Sequence, residues 1–141
     1  MLRVVLDANI FVSAAISIGP SHRILQAALA NAGVQALLCP ALIAEVESVL
    51  SRPRLRRRIS AENARVFVDD MTMLLDLVPD PLAAPAVTRD PNDDYLVALA
   101  REHGADWIVT GDNDLLEWED QTPPAITPAA FEALLGDPPD N

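Results

Sequence analysis

The stretch VVLDANIFVS, residues 4–13, decides how the chain begins to fold. The run from Leu2 to Leu6 is apolar except for Arg3, which predicts a buried first strand that ends at Asp7. No glycine follows this strand, and a helical region begins directly behind the aspartate. Because an apolar strand delivers this carboxylate straight to the edge of a sheet, Asp7 is the first candidate functional residue.

Outward from this stretch, strands and helices alternate along the chain. Further strands are expected at residues 34–39, 77–78, 107–110 and 125–127. Helices are expected from Pro20 to Gly33, from Pro40 to Pro53, in two pieces from Leu55 to about Val78 with Ser60 as an N-cap, from Asp93 to His103, from Asp112 to about Trp118 and from Pro128 to about Gly136. Residues 79–91 are expected to form a proline-rich loop.

This alternation predicts an α/β protein: a three-layer α/β/α sandwich with a central, mainly parallel sheet of four to five strands. Half of the 141 residues are hydrophobic, which is enough for the core of one domain. We expect that domain to cover residues 1–136, followed by an acidic, disordered tail at residues 137–141.

The composition indicates where in the cell the protein is located and which kinds of metal ion it could bind. No apolar run reaches the length of a membrane span, and the N-terminus lacks a secretory signal, so we expect a cytoplasmic protein without a membrane partner. Cys39 is the only cysteine and is expected to be a buried small hydrophobe. One cysteine and two histidines are too few for a closed zinc site. A bound metal would need oxygen ligands, which favours Mg²⁺ or Mn²⁺.

Several acids are expected at one edge of the sheet. Ligands of an open parallel sheet bind outside the carboxyl ends of its strands. Asp7 follows the first strand, Asp112 lies just past the fourth, and Asp93 opens the helix that leads into the fourth. Their carboxylates would repel one another unless a cation lay between them, and such a cluster is the expected ligand set of a hard divalent ion.

Each acid also has a purely structural interpretation. Aspartate is a common N-cap, and helix starts hold Asp93, Asp94, Asp112 and Asp114. Glu45 and Glu47 flank the apolar stripe of their helix on opposite sides, so spacing alone does not choose between them. The residue pattern therefore leaves open which of these acids form a site.

Five stretches of the chain, taken together, resemble a known family. They are VVLDANIFVS (residues 4–13), LCPALIAEV (38–46) with Leu50, Arg52 and Pro53 behind it, DPNDDYLVALA (90–100), ADWIVTGDNDLL (105–116) and ITPAAF (126–131). Their order and spacing are similar to those of the PIN-domain family, and specifically to its bacterial toxins related to VapC. The resemblance spans nearly the whole chain.

The resemblance implies an activity and a set of site residues. It implies an endoribonuclease that uses one or two Mg²⁺ or Mn²⁺ ions and leaves a 5′-phosphate and a 3′-hydroxyl. The catalytic, metal-binding residues that it implies are Asp7, Glu45, Asp93 and Asp112. The supporting residues, which would orient the acids or water, are Asn9, Ser13, Thr110, Asp94 and Asp114. Asp94 is also a near competitor of Asp93 for the third acidic position.

The resemblance further implies a cognate antitoxin and a homodimer. The charge distribution indicates where RNA or an antitoxin could bind. The formal net charge is −11, yet residues 1–68 carry a net charge of +4 and residues 69–141 a net charge of −15. Half of the ten arginines form what we call the arginine segment: Arg52, Arg54, Arg56, Arg57 and Arg58. This segment is interpreted as a contact for RNA phosphates, as a dock for an acidic antitoxin segment, or as a solvated turn that pairs with nearby acids.

Other function classes fit the sequence less well. A phosphate hydrolase of the haloacid type also begins with a strand and an aspartate, but it needs a second aspartate where Asn9 stands. The absence of lysine excludes a P-loop and a receiver domain, and the turn after the first strand has no glycine for a dinucleotide. The alternative that stays open is a catalytically silent PIN module that acts only by binding a partner.

Overall fold

The computed structural model describes residues 1–82, 91–117 and 122–136, and for residues 91–93 it describes the backbone alone. Its centre is a five-stranded sheet in the order β3-β2-β1-β4-β5, in which every neighbouring pair is parallel. The strands are β1 (Leu2–Leu6), β2 (Val34–Leu38), β3 (Asp76–Leu77), β4 (Trp107–Val109) and β5 (Ala125–Ile126). The predicted α/β/α sandwich with a parallel sheet is confirmed.

Helices connect these strands. They are α1 (Ala8–Ile16), α2 (Pro20–Leu29), α3 (Pro40–Leu50), α4 (Ala61–Leu74), α5 (Pro91–Glu102), α6 (Asn113–Leu116) and α7 (Pro128–Leu135), with a 3₁₀ helix at Pro53–Arg57. Ser60 caps α4 as predicted, since its hydroxyl accepts a hydrogen bond from the backbone nitrogen of Asn63 at 3.0 Å. Within the described ranges, no helix has both the length and the apolar composition needed to span a membrane.

The sequence-based boundaries differ from the observed ones by a few residues. β3 begins at Asp76 rather than Leu77. α5 begins at Pro91 rather than Asp93, because proline is well suited to the first turn of a helix. α6 ends at Leu116, two residues before the expected end, and Trp118 lies outside the described residues. Most of the expected loop at 79–91 and the whole tail at 137–141 also lie outside them.

The central strand explains why the first stretch of the sequence governs the fold. β1 lies between β2 and β4, and its residues Val4, Val5 and Leu6 are fully buried. A strand covered on both faces needs side chains that are apolar on both faces, as these are. α1 packs against α2 and α3, whereas α5 contacts β1 and β4. The carboxyl ends of β1, β2 and β4 therefore open onto one edge, where α1, α3 and α6 begin.

Helix α3 has a capping group that comes from elsewhere in the chain. Its own N-cap residue, Cys39, makes no side-chain capping bond. Instead, Oδ1 of Asp80 accepts a hydrogen bond from the backbone nitrogen of Ala41 at 2.8 Å. Burial, together with the nearby Asp80 carboxylate, raises the pKa of the Cys39 thiol to about 11, so the residue behaves as the buried, uncharged group that was predicted.

The Asp80 contact can be tested by Asp80→Ala, which removes the acceptor for the first turn of α3. We expect the free energy of unfolding to fall by about 1 kcal/mol, the usual effect of losing a helix cap. Urea denaturation followed by circular dichroism measures this change. Asp70→Ala removes an exposed acid from the middle of α4 and is the matched control. Equal stability of the two variants would contradict the capping role.

Candidate functional site

Asp7 is held in place by two neighbouring elements. It follows β1 and caps α1, and its side chain is 8% exposed. Oδ1 accepts a hydrogen bond from the backbone nitrogen of Ile10 at 3.0 Å, and Oδ2 accepts one from the hydroxyl of Thr110. The backbone nitrogen of Asp7 donates to the carbonyl of Val109 at 3.1 Å. The carboxylate is therefore fixed between the end of β4 and the start of α1.

The environment of Asp7 makes its negative charge costly. Burial raises the pKa of the carboxyl group above its usual value, and the charge of Asp112 raises it further. The hydrogen bonds from Thr110 and from the backbone of Ile10 and Asn9 act in the opposite direction. Among the described residues, no arginine or histidine forms an ion pair with Asp7. A buried carboxylate without a protein cation is the kind of group that a metal ion stabilises.

Thr110 connects two of the candidate acids. Its side chain is fully buried, and its backbone nitrogen donates to the carbonyl of Ile126 at 3.0 Å. The hydroxyl donates to Asp7 and accepts a hydrogen bond from the backbone nitrogen of Asp112 at 3.0 Å. Because a threonine hydroxyl has one proton and this proton points at Asp7, the same group orients the carboxylate and holds the turn that carries Asp112.

Asp112 serves as the N-cap of α6, as its structural interpretation predicted. Its Oδ1 accepts a hydrogen bond from the backbone nitrogen of Asp114 at 2.9 Å. Asp112 is half-buried, and Asp114 is exposed in the first turn of α6. A carboxylate has two oxygens and several lone pairs, so capping a helix with one oxygen leaves the other able to bind a metal.

Glu45 and Glu47, which spacing could not separate, face different surroundings. Glu45 is half-buried, and its Oε2 accepts a hydrogen bond from the hydroxyl of Tyr95 at 2.8 Å. Burial, together with the Glu45 carboxylate, raises the pKa of Tyr95, and the negative charge of Asp7 adds to this effect. Glu47 is exposed and, together with Arg56, lines a cavity to which neither Asp7 nor Glu45 contributes. The structure thus places Glu45, and not Glu47, on the side of Asp7.

The third acidic position is described only in part. Asp93 lies in the first turn of α5, and its side chain lies outside the described residues. Its neighbour Asp94 is 5% exposed. Among the side chains that are described, no three of the His, Cys, Asp and Glu residues come together as metal ligands. The four-acid site remains a prediction, of which the structure describes Asp7, Glu45 and Asp112.

The supporting residues differ in how closely they approach the acids. Thr110 contacts Asp7 directly. Asn9 is exposed in the first turn of α1, and its backbone nitrogen contributes a hydrogen bond to Asp7. Ser13 is half-buried, and its carbonyl accepts hydrogen bonds from the backbone and the hydroxyl of Ser17. Tyr95 was missed as a site residue, although a hydroxyl in an otherwise apolar stretch of α5 was a usable signal.

All five side chains of the arginine segment are exposed, but they differ in their hydrogen bonding. Nη1 of Arg56 donates to the carbonyl of Leu50 at 2.9 Å, and Nη2 of Arg58 donates to the carbonyl of Ile16 at 3.2 Å. These two arginines therefore serve the carboxyl ends of α3 and α1. The other three members, Arg52, Arg54 and Arg57, form no side-chain hydrogen bond or ion pair among the described residues. In the described part of the chain, no acid forms an ion pair with the segment, which disfavours its interpretation as a turn neutralised by neighbouring acids.

The raised pKa of Asp7 predicts a pH dependence of stability. Without metal, the folded protein disfavours the ionised carboxylate, so the charge lowers the free energy of unfolding at pH values above the raised pKa. This penalty shrinks as the pH falls and vanishes below the ordinary value of 3.8, where Asp7 is protonated in both states. Asp7→Asn removes the charge, its amide oxygen can accept the hydrogen bond from Ile10, and its amide nitrogen can donate to the Thr110 hydroxyl. It should therefore raise the urea midpoint at neutral pH in EDTA.

That gain should be smaller near pH 4 than near pH 7, because protonation relieves the same penalty in the wild type. Urea denaturation at the two pH values measures it. Asp70→Asn removes an exposed carboxylate and is the matched control. A stabilisation by Asp7→Asn that grows as the pH falls would contradict the assignment.

A family model described as the PIN domain matches residues 3–114. An uncharacterised protein of Methanocaldococcus jannaschii, MJ1680, is 28% identical over 121 residues, which cover 85% of this chain and 77% of that protein.

Two solved structures have a similar fold. One is VapBC2 from Rickettsia felis bound to a DNA fragment from their promoter, with a TM-score of 0.61, 14% identity, and coverage of 89% of this chain and 98% of that one. The other is PAE2754 from Pyrobaculum aerophilum, with a TM-score of 0.65, 17% identity, and coverage of 95% and 89%. At identities this low, the similarity to these two structures is evidence for a shared fold and for nothing further.

Proposed function

The chain belongs to the PIN-domain family, and from this membership we propose that it is a metal-dependent endoribonuclease acting as the toxin of a toxin–antitoxin pair. The family match supports a nuclease of the PIN kind. The choice of RNA as substrate, the need for Mg²⁺ or Mn²⁺ and the toxin role are our proposals.

The observation that carries the proposal is the buried Asp7 carboxylate beside Asp112, without a protein cation among the described residues. The candidate ligands offer oxygen atoms alone, which suits a hard divalent ion. We assign the metal to Asp7, Glu45, Asp93 and Asp112. When bound, the ion lowers the pKa of a water molecule and stabilises the charge that builds on the scissile phosphate.

The surrounding side chains orient the acids. Thr110 directs one oxygen of Asp7 by donating its only proton to it, and Tyr95 does the same for Glu45. Both donors remain protonated at neutral pH, since burial raises the pKa of Tyr95 and threonine does not titrate. The proposed hydrolysis needs no protein nucleophile, and it leaves a 5′-phosphate and a 3′-hydroxyl.

The remaining proposals concern partners and location. The similarity in fold to VapBC2 supports a cognate antitoxin as partner. A homodimer and a cytoplasmic location are expected from the family resemblance and the composition, and both stay predictions. Sedimentation of the purified chain would measure its oligomeric state.

The nuclease activity is tested by cleavage of single-stranded RNA with Mg²⁺, Mn²⁺ or EDTA. We expect cleavage with either ion, none in EDTA, and a loss of at least about 100-fold in Asp7→Asn and Glu45→Gln, because each removes a charged ligand. Glu47→Gln is the matched control for Glu45→Gln, since it changes the same residue type on the opposite side of α3. Equal losses in the two glutamate variants would contradict the assignment of Glu45.

Two results would favour the alternative functions. A catalytically silent PIN module should show no calorimetric binding of Mg²⁺ or Mn²⁺ that Asp7→Asn abolishes. A phosphate hydrolase of the haloacid type should turn over a small phosphate monoester and leave RNA intact.

The contact between Tyr95 and Glu45 gives a separate prediction. Tyr95→Phe removes the hydroxyl and leaves the ring, so Glu45 loses the donor that orients it. We expect the affinity for Mn²⁺ to fall about tenfold, the lower end of the range for groups that orient a metal ligand. Calorimetric titration measures the affinity, and thermal unfolding checks that the fold is intact. An unchanged Mn²⁺ affinity would show that Tyr95 does not position Glu45.

A further inference from the structure

A cavity of about 460 Å³ lies beside the arginine segment, away from the candidate acids. Its polar lining consists of Arg56, Arg57, Arg58, Ser60 and Asn63. The apolar part of its wall includes Phe67 and Val66 from α4. Phe67 is half-buried and Val66 is 52% exposed, so this side of the cavity combines apolar surface with access from solvent.

We propose that this cavity binds one nucleotide of a single-stranded RNA, with the phosphate on Arg57 and Arg58 and the base against Phe67. The inference rests on the proposed function for the cleavage itself, and it deepens that function by adding a binding site remote from the scissile phosphate. Arginine side chains that follow the backbone, together with an aromatic side chain that a base can stack on, are the usual elements of single-strand binding.

The exposure of Arg57 and its lack of partners among the described residues support a phosphate as the ligand. Arg57 is exposed, and in the described part of the chain no acid or carbonyl accepts a hydrogen bond from it. Three arginines outside the segment are already engaged: Arg3 pairs with Asp76, Arg23 pairs with Glu132, and Arg101 donates to the carbonyl of Thr122. In a chain with a net charge of −11, the arginine segment is therefore where a polyanion can approach with least repulsion.

Arg58 also links the cavity to the candidate acids through α1. Asp7 caps the start of this helix, and Arg58 donates to the carbonyl of Ile16 at its end. Nine helical residues span about 14 Å, which corresponds to about four stacked nucleotides of one strand. An RNA bound at Asp7 would thus reach the cavity within a few nucleotides.

Phe67 favours RNA over an acidic peptide as the occupant. A carboxylate-rich peptide would use the arginines and would gain little from an aromatic wall, whereas a nucleotide uses both. The structure shows that Phe67 packs partly on the core and also lines the cavity.

The test is binding of a fluorescent single-stranded RNA of about eight nucleotides, a length within the usual site size, to the full chain in EDTA, where the proposed cleavage does not occur. For Arg57→Gln we expect binding about fivefold weaker and a salt slope lower by about 0.7, the value for one phosphate contact on a single strand. For Phe67→Leu we expect a similar loss with an unchanged slope.

Arg54→Gln is the matched comparison, because it removes the same charge from the same segment at a position that does not line the cavity. We expect it to weaken binding less than about twofold, the size of a general electrostatic effect. Equal losses in Arg54→Gln and Arg57→Gln would overturn the inference. So would Arg57-dependent binding of a poly-glutamate peptide together with RNA binding that does not depend on Arg57.

This test separates the inference from the proposed catalysis. RNA binding that depends on Arg57 and Phe67 supports the cavity even if no metal-dependent cleavage is found. Metal-dependent cleavage with RNA binding insensitive to both variants overturns the cavity and leaves the catalysis standing. A wild type that does not bind RNA in EDTA overturns the inference whatever the cleavage assay shows.

Discussion

A negative charge buried at the end of the central strand is the constraint on which the rest of the site depends. β1 is apolar because both of its faces are covered, and this leaves Asp7 at its end with little access to water. The neighbouring groups that favour the charge are a hydroxyl from the end of β4 and backbone nitrogens from the start of α1. Sheet, helix and acid are thus parts of one arrangement, in which the position of each fixes the position of the others.

The same constraint organises the surrounding residues. Thr110 can hold Asp7 and the Asp112 turn together because its own backbone is fixed in line with β5. Glu45 reaches the same side of the sheet from α3, whose first turn is completed by Asp80 from the segment after β3. The candidate acids therefore come from separate parts of the chain, but each stands on an element that is tied to the central sheet.

Much of the fold could be predicted from the sequence because local patterns are strong there. The apolar run before Asp7, the helix start at Pro40 and the capping serine at position 60 each produced the expected element. The site was harder to predict, because helical periodicity did not distinguish Glu45 from Glu47. What distinguishes them in the structure is the hydrogen bond that Glu45 accepts from Tyr95, a residue fifty positions further along the chain. Thr110 was expected only through the family resemblance. The assignment of Asp93 over Asp94 stays a prediction, because the Asp93 side chain is outside the described residues.

Helix α1 has an acid at its first turn and a guanidinium group at its last, which matches the polarity of its peptide dipoles at both ends. The helix is therefore a stiff spacer whose two ends are each fastened to another element, Thr110 at one end and the arginine segment at the other. If a strand of RNA touches both ends at once, this spacer sets a minimum length for the substrates that gain from two-point attachment. Fragments below that length would lose the second attachment, so the products of cleavage would leave more readily than an intact strand.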